Sequence, residues 1–198
     1  MDLVKSGRLS TYELNKIVKE WKKYREKAGP AGIYNSKNGS SYNNDMRSGR
    51  IYFSKYFETP YTFQIMQSLI IEEYAGFKFD FTNLPSIQYA RYNKGDKFKW
   101  HRDPIETDVS RPQRSFTMSL NITDGNEYEG GDLLVKHNGE VLTLGREVGS
   151  YIIFPAFLRH QACEVLSGTR EAIVVWPQSS HSELDSLRDT YKKHYIYE

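Results

Sequence analysis

The stretch Tyr89–Asp103, with the sequence YARYNKGDKFKWHRD, decides how the rest of the chain is interpreted. Its two halves have the composition of short strands, and Asn93-Lys94-Gly95 between them is a turn signal. Residues two positions apart in a strand point to the same side. We therefore expect the imidazole of His101 and the carboxylate of Asp103 to project side by side from the second strand.

An imidazole and a carboxylate are two of the three ligands in the 2-His-1-carboxylate triad, which holds Fe(II) and leaves coordination positions open for substrate and oxygen. A His-x-Asp pair is also common by chance. The interpretation therefore depends on a third ligand and on an anchor for a cosubstrate. His160, just before a predicted strand, and Arg170, ten residues further along the chain, are the candidates.

The chain around this stretch predicts a β-rich core, because hydrophobic residues recur with a period of two beyond residue 76 and turn residues separate the segments. Many short strands joined by tight turns favour a sandwich or a barrel. The predicted strands are Phe77–Phe81, Ile87–Tyr92, Phe98–Arg102, Arg114–Asn121, Asp132–His137, Glu140–Leu144, Ser150–Phe154, Gln161–Leu166 and Arg170–Trp176.

Two amphipathic helices and a loop are predicted in front of this core. A capping-box sequence at Ser10–Glu13 begins the first helix, which runs to about Lys27, and Thr59-Pro60 begins the second, which ends at Gly76. Residues 28–50 are rich in Gly, Ser and Asn. We interpret them as a long loop, which is either a substrate lid or a plain connection. A weak strand follows over Ile51–Phe57.

The bulk composition is that of one globular domain. The chain has 198 residues, of which 38% are hydrophobic and 26% charged. We divide it into a helical N-terminal support with its loop (1–76), a core (77–178) and a C-terminal tail (179–198). The tail has a possible short helix around Leu184 and Leu187.

Charge, apolar runs and cysteine content limit which binding partners and which cellular compartment we expect. No apolar run approaches the roughly 20 residues of a membrane span, and a net charge of +2 does not favour a nucleic-acid or membrane partner. The first residues contain no apolar segment typical of a secretory signal. Because the single Cys163 cannot form an internal disulfide, we expect a cytoplasmic protein.

Several short motifs follow one another at specific distances. They are Gln88-x-x-Arg91-Tyr92-x-x-Gly95-Asp96-x-Phe98-x-x-His101-x-Asp103, Arg114-Ser115-x-Thr117, Leu120-Asn121, Tyr128-Glu129-Gly130-Gly131-Asp132-Leu133, Gly149-Ser150, Phe154-Pro155, His160, Gly168-x-Arg170 and Trp176. In order and spacing this region resembles the Fe(II)/2-oxoglutarate-dependent oxygenases, and within them the prolyl 4-hydroxylase-type branch with its PKHD-type hydroxylases. The resemblance implies a mainly β fold with flanking α-helices, in which a double-stranded β-helix (jelly-roll) core has the N-terminal helices packed outside it.

The resemblance also implies roles for the matched residues. His101, Asp103 and His160 would ligate iron. Arg170 would bind the 5-carboxylate of 2-oxoglutarate, since a guanidinium recognises a planar carboxylate through two parallel hydrogen bonds. Tyr92 would help to hold the same cosubstrate.

Other matched positions imply contacts with the ligands of the site. Thr117 and Ser119 lie on the hydroxyl-bearing face of one strand and would line the cosubstrate pocket. Trp176 matches a family aromatic residue near the metal, although plain strand packing explains it equally well. Arg47 and Arg50 resemble the substrate side of the family only loosely. Phe98 departs from the family, which often has Tyr there.

For His160 and Arg170 to act in one site, their side chains must lie on the same face of the sheet. A two-residue turn at Ser167-Gly168 would place the two side chains on opposite faces of the sheet. A three-residue loop over Ser167–Thr169, with Gly168 left-handed, or an equivalent bulge, restores the same face. We predict one of these, with His160 at the end of its strand.

The implied activity is an Fe(II)- and 2-oxoglutarate-dependent dioxygenase that uses O2, releases succinate and CO2, and hydroxylates a prolyl residue in a peptide or protein. Ascorbate would support the iron. The alternatives are the same chemistry on a free amino acid or other small metabolite, an AlkB-type demethylase of nucleic acid, and a jelly-roll binding module without activity. An AlkB-type enzyme would have Arg where Trp176 stands. The sequence leaves the oligomeric state open.

Overall fold

The computed structural model describes residues 2–35, 39–79, 87–103 and 110–196. Its α-helices are α1 (Thr11–Trp21), α2 (Pro60–Glu73) and α3 (His181–His194), with 3-10 turns at Lys22–Lys27 and Gly125–Glu127. Its strands are β1 (Lys5–Arg8), β2 (Gly29–Pro30), β3 (Ile33–Asn35), β4 (Gly39–Ser41), β5 (Arg50–Ser54), β6 (Ile87–Asn93), β7 (Phe98–His101), β8 (Gln113–Arg114), β9 (Phe116–Asn121), β10 (Tyr128–Gly130), β11 (Leu133–His137), β12 (Glu140–Thr143), β13 (Ser150–Pro155), β14 (His160–Ala162), β15 (Val165–Val175) and β16 (Gln178–Ser179).

Two antiparallel sheets form the walls of the core. The major sheet has the order β1-β13-β9-β15-β6-β5-β2, with β10 also paired to β15. The minor sheet has the order β12-β11-β14-β7. The mainly β architecture with helices outside agrees with the predicted jelly-roll class.

Helices α1 and α2 pack on the outer surface of the major sheet. The predicted capping box forms at Ser10 and Glu13, and α1 buries Ile17 and Trp21 completely. The Trp21 indole stacks on Tyr89 of β6 with ring centroids 6.0 Å apart. The predicted first helix therefore exists, but it tightens into a 3-10 turn over its last residues, Lys22–Lys27.

The second predicted helix is confirmed as α2, with Pro60 in its first turn. It packs beside α1 through Met66 and Ile70, and the chain leaves it through Gly76, whose φ of +97° favours glycine. Tyr74, at its end, lies with its ring centroid 4.2 Å from that of Phe116 on β9. Its hydroxyl donates to the carbonyl of Leu3 at 2.9 Å, which ties the N-terminal segment to the core.

The predicted loop at Ser167–Thr169 is wrong, because β15 runs unbroken from Val165 to Val175. The hairpin in which an equivalent bulge was predicted is also absent, since Arg170 pairs with Tyr92 of β6. A register shift of another kind occurs in the pairing of β10 with β15, between Glu129 and Gly130. Gly168 has the positive φ that the prediction required, +73°, and a Cβ there would lie 2.0 Å from the carbonyl oxygen of Glu127. His160 is the first residue of β14, as predicted.

Residues 28–50 contain more regular structure than a plain loop. β2 pairs with β5 at the edge of the major sheet, and β3 pairs with β4 as a small hairpin. Their short strands have little hydrophobic patterning, so periodicity could not detect them. The predicted strand Ile51–Phe57 is observed as β5, shifted towards the N-terminus and ending at Ser54.

The ends of the predicted core also differ from the structure. Residues 77–79 are not in a strand, and the rest of the predicted strand Phe77–Phe81 lies outside the described residues. The predicted tail contains α3, which buries Leu184, Leu187 and Tyr191. Within the described ranges, no helix is long and apolar enough to cross a membrane.

Replacement of Ile173 by alanine tests the importance of the outer face of β15. Ile173 is fully buried, and a cavity there should lower the free energy of unfolding by about 2–5 kcal/mol. Leu166→Ala on the same strand is the matched control, since Leu166 is 58% exposed and its loss should cost no more than about 0.5 kcal/mol. Urea denaturation measures both, and equal losses would contradict the assigned packing.

Candidate active site

The inner surfaces of the two sheets enclose a cavity of about 510 Å³. Alternate residues of β15 and its continuation, Arg170, Ala172, Val174 and Trp176, line it. The residues between them, Ile173 and Val175, belong to the hydrophobic core with the helices. The period of two that predicted the strand therefore separates a functional face from a packing face.

The three predicted metal ligands converge at the minor-sheet side of this cavity. His160 at the start of β14 is the direct cross-strand partner of His101 at the end of β7. Asp103 follows two residues later, and its backbone N–H donates to the carbonyl of Ala156 at 3.1 Å. One ligand atom from each of the three side chains lies within 4.8 Å of the others.

Both imidazoles are held in the orientation that a metal ligand needs. The Nδ1 of His101 lies 2.7 Å from the carbonyl oxygen of Lys99, and the Nδ1 of His160 lies 2.9 Å from that of Leu158. Because a carbonyl oxygen only accepts, both Nδ1 atoms carry the proton and donate. Each Nε2 lone pair is then free to bind a cation, a common arrangement for metal-bound histidine.

Asp103 is a buried carboxylate with two hydrogen-bond donors from the opposite sheet. The Thr117 hydroxyl donates to its Oδ2, and the Trp176 Nε1 donates to the same oxygen at 2.8 Å. Burial alone would raise the pKa of Asp103. The imidazoles of His160 and His101, together with the Thr117 hydrogen bond, outweigh burial and hold the pKa below its usual range, so the carboxylate is ionised.

The charge state of His101 also suits a metal ligand. Burial, followed by the proximity of His160, lowers the pKa of His101 to about 3. Its imidazole is therefore neutral near pH 7, which is the form that coordinates metals. The donor set of two imidazoles and one carboxylate fits Fe(II) in the 2-His-1-carboxylate arrangement.

Arg170 lies deeper on the major-sheet wall of the same cavity. It is 3% exposed, and its guanidinium has neither an ion-pair nor a hydrogen-bond partner in the described part of the chain. Its Cζ lies 5.8 Å from the centroid of the ring of its cross-strand partner Tyr92. A buried cation without a counter-charge is costly, so the site is suited to an anionic ligand.

The remaining predicted site residues fall at different distances from this centre. Tyr92 and Ser119 line the cavity, and Thr117 does so while bound to Asp103. Arg47 also lines it. Arg50 does not: it is exposed, and its guanidinium donates to the carbonyl of Ala28 instead.

Phe98 has a structural role that the sequence did not reveal. Its ring stacks on the imidazole of His101, with centroids 3.4 Å apart and planes at 14°. The spacing of three residues in an alternating strand predicts opposite faces, so the contact was not expected. Trp176 lies near the metal ligands, since its indole lines the cavity and donates to the Asp103 carboxylate.

Comparison with solved structures identifies the fold. A prolyl hydroxylase of Trichoplax adhaerens, in complex with a hypoxia inducible factor oxygen degradation domain peptide fragment, superimposes with a TM-score of 0.72 at 15% identity, over 94% of this chain and 87% of that one. A Pseudomonas putida prolyl-4-hydroxylase gives a TM-score of 0.67 at 15% identity, over 89% and 92%. The two superpositions show that this chain has the fold of these neighbours, with a jelly-roll core.

Sequence comparison makes the assignment more specific. Residues 87–178 match the model of the 2OG-Fe(II) oxygenase superfamily. PKHD-type hydroxylases of Prochlorococcus marinus and Parvibaculum lavamentivorans are 34% and 33% identical over 93 and 97 residues, or 47% and 49% of this chain. The matched region is thus similar to the 2OG-Fe(II) oxygenases and, within them, to the PKHD-type hydroxylases. The matches span 41% and 43% of the length of those two relatives.

Loss of the Trp176 hydrogen bond should weaken metal binding. In Trp176→Phe the carboxylate of Asp103 keeps Thr117 but loses one of its two donors, and changes to such outer partners lower metal affinity about 10–100-fold. Isothermal titration with Mn(II) measures the dissociation constant. Trp100→Phe is the control, since Trp100 does not line the cavity. Equal affinities for Trp176→Phe and wild type would contradict the role of this hydrogen bond.

Proposed function

We propose that this protein is an Fe(II)- and 2-oxoglutarate-dependent dioxygenase that hydroxylates a prolyl residue in a peptide or protein and releases succinate and CO2. The observation that carries the proposal is the combination of two features in one cavity. The cluster of His101, Asp103 and His160 supplies a facial donor set, and the buried, unpaired guanidinium of Arg170 supplies an anchor for an anion.

Each part of the proposed site has a defined task. His101, Asp103 and His160 would hold the iron, and the bound iron would supply the activation of O2 that is coupled to 2-oxoglutarate decarboxylation. The Nδ1 hydrogen bonds of the two histidines keep both Nε2 atoms directed at the cation site. Thr117 and Trp176 fix the plane of the Asp103 carboxylate from the opposite wall.

Arg170 would bind the distal carboxylate of 2-oxoglutarate. It lies on the same face of β15 as Trp176, which contacts Asp103, and six residues along a strand correspond to about 20 Å between their Cα atoms. Long side chains at both ends leave room between them for an extended five-carbon dicarboxylate. Gly131 brings the backbone close to Arg170: a Cβ at Gly131 would lie 3.2 Å from Arg170 Cδ. The hydroxyls of Tyr92 and Ser119 line the same cavity and are candidates to complete the cosubstrate pocket.

A prolyl substrate within a peptide or protein is supported by the relatives rather than by a contact in this chain. The curated relatives are PKHD-type hydroxylases, and a structural neighbour is a prolyl hydroxylase in complex with a peptide fragment. Residues of the 28–50 segment also line the cavity, among them Met46 and Tyr42, which is 72% exposed. We propose that this segment acts as the substrate lid.

The alternative functions differ at identifiable points. In an AlkB-type demethylase a second Arg would stand at position 176, whereas here Trp176 donates to Asp103. A free amino acid or other small metabolite as the substrate requires the same iron site and differs only in the product. A binding module without activity would release no succinate. A supporting role of ascorbate and a cytoplasmic location also stay predictions.

Succinate release tests the proposed chemistry. Wild-type protein with Fe(II), 2-oxoglutarate and ascorbate should form succinate, and His160→Ala, which removes one of the three donors, should form none above background. Mass spectrometry of proline-containing peptides should then show a gain of one oxygen on proline. Succinate formation that His160→Ala leaves unchanged would exclude this site. Oxidation confined to an amino acid or a nucleobase would exclude the prolyl substrate.

Arg170→Lys should weaken binding of 2-oxoglutarate because a lysine keeps the charge but loses the two parallel hydrogen bonds. A hydrogen bond to a charged group contributes about 1.5–3 kcal/mol, so we expect the dissociation constant to rise about 10–100-fold. Titration of the Mn(II)-loaded protein with 2-oxoglutarate measures it. Arg159→Lys, at an exposed site, is the control. An unchanged dissociation constant in Arg170→Lys would show that the cosubstrate binds elsewhere.

A further inference from the structure

Three side chains are stacked at the edge of the metal cluster. The ring of Phe98 lies on the imidazole of His101, with centroids 3.4 Å apart. The guanidinium of Arg47 in turn lies over the Phe98 ring, with its Cζ 4.5 Å from the ring centroid. A guanidinium over an aromatic face is attracted to it, and the attraction is stronger where water is excluded. Here Arg47 is only 8% exposed.

Arg47 is fixed by two further elements of the fold. One terminal nitrogen donates to the carbonyl of Gly32 at 3.1 Å, and the other donates to Oε1 of Gln88 on β6 at 3.0 Å. Within the described residues, no carboxylate pairs with it, and its Nε is buried without a partner. Hydrogen bonds therefore hold the Arg47 guanidinium in place, and no ion pair neutralises its charge within the described residues.

The backbone around Arg47 extends the minor sheet past β7. Arg47 forms a β-bridge with Phe98. The Ser48 N–H donates to the carbonyl of Lys97 and the Lys99 N–H to that of Met46, both at 2.9 Å. Residues 46–48 are thus joined to the strand that ends in His101 by backbone pairing as well as by the stack.

We propose that Arg47 is a positioning residue: through Phe98 it holds the imidazole of His101 in its metal-binding orientation and links that ligand to the segment Tyr42–Arg50, whose residues Tyr42 and Met46 line the cavity. The inference rests on the proposed function, since it assumes that His101 is a ligand. Linkage is reciprocal, so a metal bound at His101 stabilises the Arg47 segment by as much as that segment strengthens metal binding.

Metal titration of the full chain without substrate tests this role. Arg47→Met removes the charge and the hydrogen bonds, and Phe98→Leu removes the ring. Each should weaken Co(II) binding about 10–100-fold and alter the visible absorption spectrum of bound Co(II). Phe98→Tyr keeps the aromatic ring and should bind Co(II) as wild type does. Arg50→Ala is the matched control, because Arg50 is an exposed arginine of the same segment that does not line the cavity.

Hydrogen exchange on the wild-type protein gives a measurement that does not depend on any variant folding. Addition of Co(II) should slow exchange at the amides of Ser48 and Lys99, which form the pairing between the segment and β7. Thermal unfolding of the metal-free variants checks that Arg47→Met and Phe98→Leu are folded.

The outcomes separate this inference from the proposed function. If wild type binds Co(II) but Arg47→Met and Phe98→Leu bind it equally well with the same spectrum, Arg47 does not position His101. The same conclusion follows if Co(II) leaves exchange at Ser48 and Lys99 unchanged, or if Arg50→Ala weakens binding as much as Arg47→Met. If wild type binds no divalent metal, both the inference and the proposed function are overturned.

Discussion

The rest of the site depends on the hydrogen bonds that satisfy the carboxylate of Asp103, which is buried between two sheets. A buried charge is tolerated only when it is paired and hydrogen-bonded. Asp103 meets this condition by drawing donors from both walls: Thr117 and Trp176 from the major-sheet side, and the imidazoles from the minor sheet. The requirement to satisfy one carboxylate therefore fixes the distance between the sheets at the point where the cation site lies.

β15 connects this site to the stability of the whole fold. One face of the strand carries Arg170 and leads to Trp176, while the other carries Ile173 and Val175 into the core beneath the helices. A shift of this strand by one residue would exchange the two faces. Gly168, with its positive φ, pairs with Tyr128 of β10, and the register of that pairing shifts between Glu129 and Gly130. Packing outside the sheet and recognition inside it are thus fixed by the same register.

Much of this arrangement could be predicted because it has a signature in side-chain chemistry. The period of two located most strands, the capping box located α1, and the spacing of His101, Asp103, His160 and Arg170 located the cavity. The Ser167–Thr169 loop was predicted in place of the continuous β15 because Ser-Gly-Thr is a typical turn sequence. Only the tertiary structure shows that the glycine lies within a strand, where it allows the close approach of Glu127 and Tyr128.

The features that sequence reasoning missed share a physical cause. The pairing of residues 46–48 with β7 uses backbone groups, which every residue type carries, so it leaves no mark in composition. The Phe98–His101 stack occurs where β7 ends and strict alternation no longer holds. Both lie beside the cavity, where a substrate would bind under the proposed function. Specificity in such folds resides in irregular segments placed on a rigid scaffold, so the part of the chain with the weakest sequence pattern is also the part that would select the substrate.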